Sequence, residues 1–511
     1  MAKAQRRATA PTVEAPIEEN YDAVPYPTHP NVSAHPDRLA TIATLRGLKA
    51  APIDRCRVLE VGCGDGGNLL AAAVALPASE FVGIDLSGEA IRRGVGLAQA
   101  AGIENARLLK VDLRALPVSA GKFDYIIAHG VYSWVPQEVR QALLALIGER
   151  LMPNGVAFVS YNAMPGGHIR RALRDMTFFH LRNTPNPAER IDEAKALMEL
   201  LLAAEMPGIG GYRAMLTEQA GIIRERTDAD LFHDELAPIN DSFYVTEFAA
   251  HAKEHGLQYL GEAEYFTMTA ERAGPVVANA LASLDEADPL LKEQYLDFVT
   301  CRLFRKTLLC RADVKLAQKP DPAAIAALWA SSNATAEPEQ EDGRQTFASD
   351  DHGGLTTADP RAKAMMHALS AASPAALPFT ALVDAVVAVS PETSRFKAAE
   401  RVAAFFESAY AAGVIELHSR ALHVVTAPAD APLASPLARA QASAGPEVSS
   451  LRHTEVVLDD VVARGLIQLL DGTRDRAALL ALLQEAGVEG ETPEHLDEKL
   501  RELGRLGLLV R

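Results

Sequence analysis

A doubly wound α/β sheet, followed by a mostly helical middle domain and a winged-helix-containing C-terminal region, is the fold this sequence predicts. Apolar strand-like runs alternate with helical stretches from residue 56 to 162. From 165 to 315 the pattern changes to apolar residues three and four apart, with few β-branched runs. Beyond 355, three helical segments precede two short β-like runs.

The elements follow in order. Residues 1–20, rich in Ala, Pro and Glu, read as a flexible tail. CRVLEVG, NLLAAAVAL, FVGIDL, GEAIRRGVGLAQAAG, ARLLKVDL, FDYIIAHG, EVRQALLALIGERL and GVAFVSYN alternate strand and helix at the spacing of a parallel sheet covered on both faces, placing a first domain at 21–164. DEAKALMELLLAAEM and EQYLDFVTCRLFRKTLLCRAD read as helices of a second domain, 165–330, that covers the substrate entrance. The polar, acidic stretch 331–354 reads as a linker. In 355–511, PRAKAMMHALSA, FTALVDAVVAV and KAAERVAAFFESAYAAG lead into VIELH and ALHVVT around a turn at Ser419 and Arg420, the pattern of a winged helix, and a further helical block follows.

Composition removes several classes of function. With 511 residues, 48% hydrophobic and 23% charged, the chain is globular and large enough for several domains. Its four cysteines form no CxxC pair, which argues against a disulfide framework or zinc site, and no apolar run is long enough to span a membrane. The N-terminus lacks the apolar segment of a secretion signal, so a cytoplasmic location is expected. A net charge of −17 disfavours nucleic acid. The C-terminal region alone holds 22 acidic against 15 basic residues over 346–511, which suits protein docking better than DNA binding. His251 and His255 stand four apart without an evident further ligand, and no metal is expected.

The chemistry is concentrated in LEVGCGDGGN, residues 59–68. Gly62, Gly64 and Gly67 satisfy G-x-G-x-x-G, and Asp85 closes the next strand, so a dinucleotide fingerprint is one reading. Three further features favour a different cofactor. Glu60 precedes the first glycine, Asp112 closes a third strand, and LMPNGVAFVS precedes a fifth. This set resembles the S-adenosylmethionine-dependent methyltransferases. In that reading the glycines allow close backbone approach to a ligand without phosphate, and Asp85 accepts from two ribose hydroxyls. The resemblance implies a cofactor site of Glu60, Gly62, Gly64, Asp85, Leu86, Asp112, Leu113 and His129; Tyr21 and Tyr26, in a Pro-rich segment ahead of the core, read either as a lid over the cofactor, which would add Tyr21 to the site, or as a surface strap.

NYDAVPYP, AHPDRLATIATLRG, HGVYSWVP, SYNAMPGGH and HDELAPINDSFYVTEFAAHA, with QYLDFVTCRLFRKTLLCRAD, LTTADPRAKA and SSLRHTEVVLDD, make the resemblance narrower. They are similar to bacterial methyltransferases with an attached regulatory domain, which include lysine methyltransferases of outer membrane proteins. The resemblance implies a protein substrate presenting lysine, with a cell-envelope protein and a homo-oligomer both compatible.

Tyr132 and Trp134 follow the fourth strand, and Tyr161 and Asn162 the fifth, so these four are the expected walls of a pocket for the acceptor amine. Burial beside aromatic rings lowers an amine's pKa and still favours a cationic methylated product. Packing of the next helix is the competing role for Trp134 and a place in the core for Tyr132, and a hydrogen bond to backbone or cofactor competes with base catalysis at His129. A small-molecule methyltransferase and a non-catalytic cofactor-binding regulator are the alternative functions.

Overall fold

The computed structural model describes residues 26–204, 209–349, 353–488 and 492–511; the expected tail 1–20 and Tyr21 lie outside the described residues. Its centre is an eight-stranded sheet. The parallel strands are β1 (Arg57–Val61), β2 (Glu80–Asp85), β3 (Ala106–Lys110), β4 (Phe123–Ala128) and β5 (Leu151–Ala163), ordered β3-β2-β1-β4-β5. β1 sits in the middle, with Val58 opposite Phe81 on one side and Tyr125 on the other. Leu59, Val82, Ile126 and Ala157 pack on one face, and Val58, Phe81, Tyr125 and Phe158 on the other. That two-sided burial is why these strands read as continuous apolar runs.

The middle region is mostly helical, as expected, and it also completes this sheet. β6 (Ser242–Phe243) adds to the end of β5, while β8 (Phe304–Arg311) pairs antiparallel with β5 and β7 (Leu257–Glu262) antiparallel with β8. The stretch expected as one helix, EQYLDFVTCRLFRKTLLCRAD, is therefore a helix to Thr300 and then a strand. Cys301 adopts a left-handed conformation (φ 48°) at the break. The helical part proper is an insertion between β5 and β6: helices Gly166–His180, Pro187–Leu202 and Gly210–Glu225 around their own core of Leu173, Ile191, Met198 and Leu216. It ends in a π-helical turn, Leu231–Glu235, that brings His233 and Glu235 inward.

β8 carries a buried ion cluster. Arg305, fully buried, donates to Asp297 (2.9 and 2.8 Å), Glu262 (2.5 Å) and Glu293 (3.1 Å). Its neighbours Phe304 and Lys306 reach the functional cavity.

Residues 331–354 are not a bare linker. Thr335–Ala336, Gln345–Ala348 and Gly354–Thr357 form an antiparallel three-stranded sheet anchored by fully buried Phe347, which polar composition had concealed. The helices Pro360–Ala372, Phe379–Val389 and Arg395–Ala411 are where they were expected. The hairpin after them is absent: Glu416–His418 pairs with Trp329–Ser331, and ALHVVT forms no strand. Ser419, the expected turn residue, instead donates through N and Oγ to Asp37 (2.8 and 2.6 Å), and Arg420 reaches the Ala75 carbonyl. Residues 436–505 form a second module with its own core and a small hairpin, Glu447–Ser449 with Glu455–Val457.

Candidate functional site

A cavity of about 1180 Å³ opens beyond the carboxyl ends of β1, β2 and β4. Chain order reverses between β1 and β4, and ligands of open α/β sheets bind at such a point. Its inner end is the glycine turn. Gly62 (φ 71°), Gly64 (φ 55°) and Gly66 (φ 79°) are left-handed, and helix Gly67–Ala75 starts from Gly66. The need for glycine is partly internal to the protein. A Cβ on Gly67 would lie 1.8 Å from the Thr28 carbonyl oxygen, and one on Gly62 would lie 2.6 Å from Val131 Cγ2. The segment Tyr26–Ser33 thus lies directly over the turn, where Gly67 N donates to Thr28 Oγ1 (2.6 Å) and Thr28 Oγ1 to Asp65 (2.6 Å). Tyr26 lines the cavity edge-on to His233, which is the place expected of a lid.

Three acids meet here in different states. Glu60 is buried; Asn68 donates to its Oε1 (3.0 Å), while Oε2 has no partner among the described residues. Burial pushes its pKa up to about 8. Asp85 accepts from Gly64 N (2.9 Å) and Ser87 N (2.8 Å) and still faces the cavity. Desolvation raises its pKa despite these bonds. Asp112 lines the cavity but is ion-paired to Arg114 (2.5 Å), which lowers its pKa. Leu86 and Leu113 flank these acids on the cavity wall.

His129 stands between the two ends of the cavity with both ring nitrogens engaged. Asn31 Oδ1 accepts from Ser33 N, so its Nδ2 faces His129 Nε2 (3.2 Å) and donates. The ring proton therefore sits on Nδ1, which is 2.9 Å from Ser160 Oγ. Desolvation and the nearby Lys306 hold its pKa at about 4. A neutral imidazole with no free lone pair is no general base.

The expected aromatic walls divide. Trp134 lines the cavity, with Nε1 buried and unpartnered among the described residues. Asn162 does as well, its Oδ1 accepting from Arg170 (3.2 Å) and its Nδ2 donating to Asn240 (2.7 Å). Tyr132 and Tyr161 do not. Both are core residues packed with Phe248, and Tyr132 OH bonds His251 Nδ1 (2.7 Å) while Tyr161 OH accepts from Thr307 (3.2 Å). Neither lines the cavity, so they are removed from the set of pocket walls.

The outer end of the cavity went unread in the sequence. Phe304 and Lys306 come from β8 and Glu264 from the turn after β7, with Lys306 bonded to Glu264 (2.5 Å). Arg170, Arg226, Asp234 and Glu235 come from the helical insertion, with Arg170 bonded to Glu235 (2.5 Å). Asn68, at the inner end, went unassigned although it directly follows Gly67; the residues of the outer end are joined only by tertiary contact.

Comparison with known proteins gives this geometry relatives. Family profiles described as "Methyltransferase domain", "Predicted methyltransferase regulatory domain" and "PKMT, C-terminal winged helix domain" match residues 58–155, 227–311 and 430–502. The winged helix of the family thus falls on the last module, not on 355–426 as the sequence pattern suggested. RP789 of Rickettsia prowazekii (strain Madrid E) is 38% identical over 296 residues, 58% of this chain, and the match spans about half (53%) of that protein's length. RP028 of the same organism is 35% identical over 241 residues, 47% of this chain and 96% of RP028. Among solved structures, PKMT2 from Rickettsia typhi, also solved in complex with AdoHcy, superposes with a TM-score of 0.83 at 25% identity over 95% of this chain and 100% of its own.

Proposed function

The chain belongs to the class I S-adenosylmethionine-dependent methyltransferases that carry a methyltransferase regulatory domain, and on that premise we propose that it methylates the ε-amine of lysine in a protein. The observation that carries the acceptor is the end-to-end likeness to PKMT2, a protein lysine methyltransferase by name, with the winged helix included.

The inner end of the cavity fits the cofactor. Glu60 Oε2 is a buried acceptor lacking a donor, Asp85 is a strand-end acid, and the glycine turn leaves backbone exposed between them. In this reading Glu60, Gly62, Gly64, Asp85, Leu86, Asp112 and Leu113 hold S-adenosylmethionine, with His129 as a wall. The cofactor, when bound, supplies a methyl group on a sulfonium.

The chain's own residues prepare the nucleophile. A lysine of pKa about 10.4 must lose a proton before attack. His129 is neutral with both ring nitrogens engaged, so this reading assigns the work to desolvation: Trp134 excludes water and Lys306 disfavours a second cation beside it. Asn162, clamped by Arg170 and Asn240, presents its remaining carbonyl lone pair to the amine. Unpaired Cys56, Cys63, Cys301 and Cys310 suit a reducing, cytoplasmic setting. No helix among the described residues is long and apolar enough to cross a membrane. A cell-envelope protein met before it leaves that compartment is the substrate class this reading favours.

The reading is tested by incubating the pure protein with radiolabelled S-adenosylmethionine and a lysate of its host. Label on protein lysine is expected. Label confined to small molecules sinks the protein acceptor, and no label at all favours a regulator. Trp134→Ala is expected to keep AdoHcy affinity within about threefold and to lose about 100-fold in transfer, the scale of a misplaced nucleophile. Equal loss of binding would move Trp134 to the cofactor side.

Glu60 adds a pH signature. With its pKa raised to about 8, it is protonated at neutral pH in the free protein, and pairing with a cationic ligand requires it ionised. Cofactor affinity is therefore expected to rise by up to tenfold per pH unit towards pH about 8. The ligand's own α-amine titrates nearby, so the readout is the difference between wild type and Glu60→Gln. A Glu60→Gln profile parallel to wild type would rule the pairing out.

A further inference from the structure

The turn carrying His453 belongs to the winged helix, yet its side chain ends beside the cofactor loop. His453 lies between Glu447–Ser449 and Glu455–Val457, is 2% exposed and has a left-handed backbone (φ 60°). Its Nε2 is 2.8 Å from Asn68 Oδ1. Asn68 Oδ1 also accepts from Asn31 N (2.9 Å), and its Nδ2 donates to Glu60 Oε1 (3.0 Å).

The donors fix the direction of this chain of bonds. An amide oxygen only accepts, so His453 carries its proton on Nε2 and donates it to Asn68. Two donors at Oδ1 prevent the amide from flipping, since a flip would set its NH2 against the Asn31 N–H. Asn68 is thereby held with its one useful N–H on Glu60, whose other oxygen is left open. Burial keeps the His453 pKa well below the ordinary value, so the neutral donor persists across the working pH range.

The turn is braced for this task. Ser450 N donates to Thr454 O (2.9 Å), His453 N to Ser450 O (3.0 Å), and Ser450 Oγ accepts from Arg452 N and Thr454 N (3.2 Å each). Glu455, two residues on, pairs with His29 (3.1 Å) in the segment over the glycine turn, and the His35 ring packs 4.7 Å from that of His453. A left-handed histidine is costly enough that the surrounding bonds must hold it.

We propose that His453 is a positioning residue of the cofactor site: through Asn68 it sets the Glu60 carboxylate, so that the winged helix completes the site it docks on. The coupling is reciprocal, since a ligand favouring the set Glu60 also favours the docked turn. The inference rests on S-adenosylmethionine occupying this end of the cavity and is independent of which acceptor is methylated.

The test is calorimetric titration of AdoHcy into the full chain, with no acceptor present, so a wrong acceptor leaves the result unchanged. His453→Ala is expected to weaken binding about tenfold, the scale of one buried hydrogen bond to a group that becomes charged. His453→Gln, which can place an amide N–H near the same point, is expected to recover affinity to within about threefold of wild type. The Asn68→Ala, His453→Ala double variant should bind no more weakly than Asn68→Ala alone, because residues acting in one chain of bonds are non-additive. Wild-type affinity in a folded His453→Ala, failure of His453→Gln to recover, or losses that multiply would each overturn the proposal. Hydrogen exchange on the wild type covers the case of a variant that does not fold. AdoHcy is expected to slow exchange at residues 450–454 as well as 60–68, and slowing confined to 60–68 overturns the coupling.

Discussion

Asp85→Ala is expected to abolish measurable AdoHcy binding while the protein stays folded. Asp85 serves two purposes. Its Oδ2 accepts from Gly64 N and its Oδ1 from Ser87 N, so it ties the glycine turn to the start of helix Gly88–Ala100. It also presents a desolvated carboxylate to the cavity, where each hydrogen bond to a ligand hydroxyl is worth roughly 1.5–3 kcal/mol. Two such bonds plus a loosened turn amount to a loss of about 100-fold to 10,000-fold, beyond the range of a titration at micromolar protein. Asp85→Asn, which keeps one acceptor, should fall between. A Kd for Asp85→Ala within threefold of wild type would remove Asp85 from the cofactor site.

Arg305→Met is expected to be the most damaging substitution for stability. It leaves Glu262 and Glu293 buried without the guanidinium that pairs with them, and Asp297 with Arg302 alone (2.6 Å). Removing one partner of a buried ion pair costs about 3–5 kcal/mol. The pH dependence identifies the cause. Desolvation already holds the pKa values of Glu293 and Asp297 above the ordinary range, and without Arg305 they rise further. A carboxyl whose folded pKa is raised destabilises the fold as pH climbs from its unfolded pKa to its folded one. The deficit against wild type, read from urea midpoints, should therefore be largest near pH 8 and shrink towards pH 5. A deficit independent of pH would point to lost packing alone.

What was legible in the sequence follows the distance over which each signal acts. The glycine turn, Glu60 and Asp85 are determined by local backbone geometry, and all of them face the cavity. Tyr132 and Trp134 lie two apart after β4, and the sequence cannot say that the chain turns between them, with Trp134 N bonded to Val131 O, so that one enters the cavity and the other the core. Tyr161 is decided by Phe248, which stacks on it from a helix that arrives much later in the chain. LFRKTLLCR has helical spacing and is nonetheless a strand, because the edge of β5 and the acids around Arg305 outweigh local preference. His453 lies within SSLRHTEVVLDD, yet nothing local signals its role, since its partner Asn68 is 385 positions away.

The placement of β8 also bears on how the chain is made. β5 is 13 residues long, and apart from its end, where β6 pairs with Asn162 and Ala163, its outer edge stays unpaired until Phe304–Arg311 has been synthesised. On a ribosome adding roughly 5–20 residues per second, that leaves a long apolar strand edge open for many seconds while the helical insertion emerges. A chain cut near residue 164 would carry the whole glycine turn and still present this naked edge, a template for aggregation. Assembly of the core is therefore non-local, with β5 and β8 joined across the whole helical insertion.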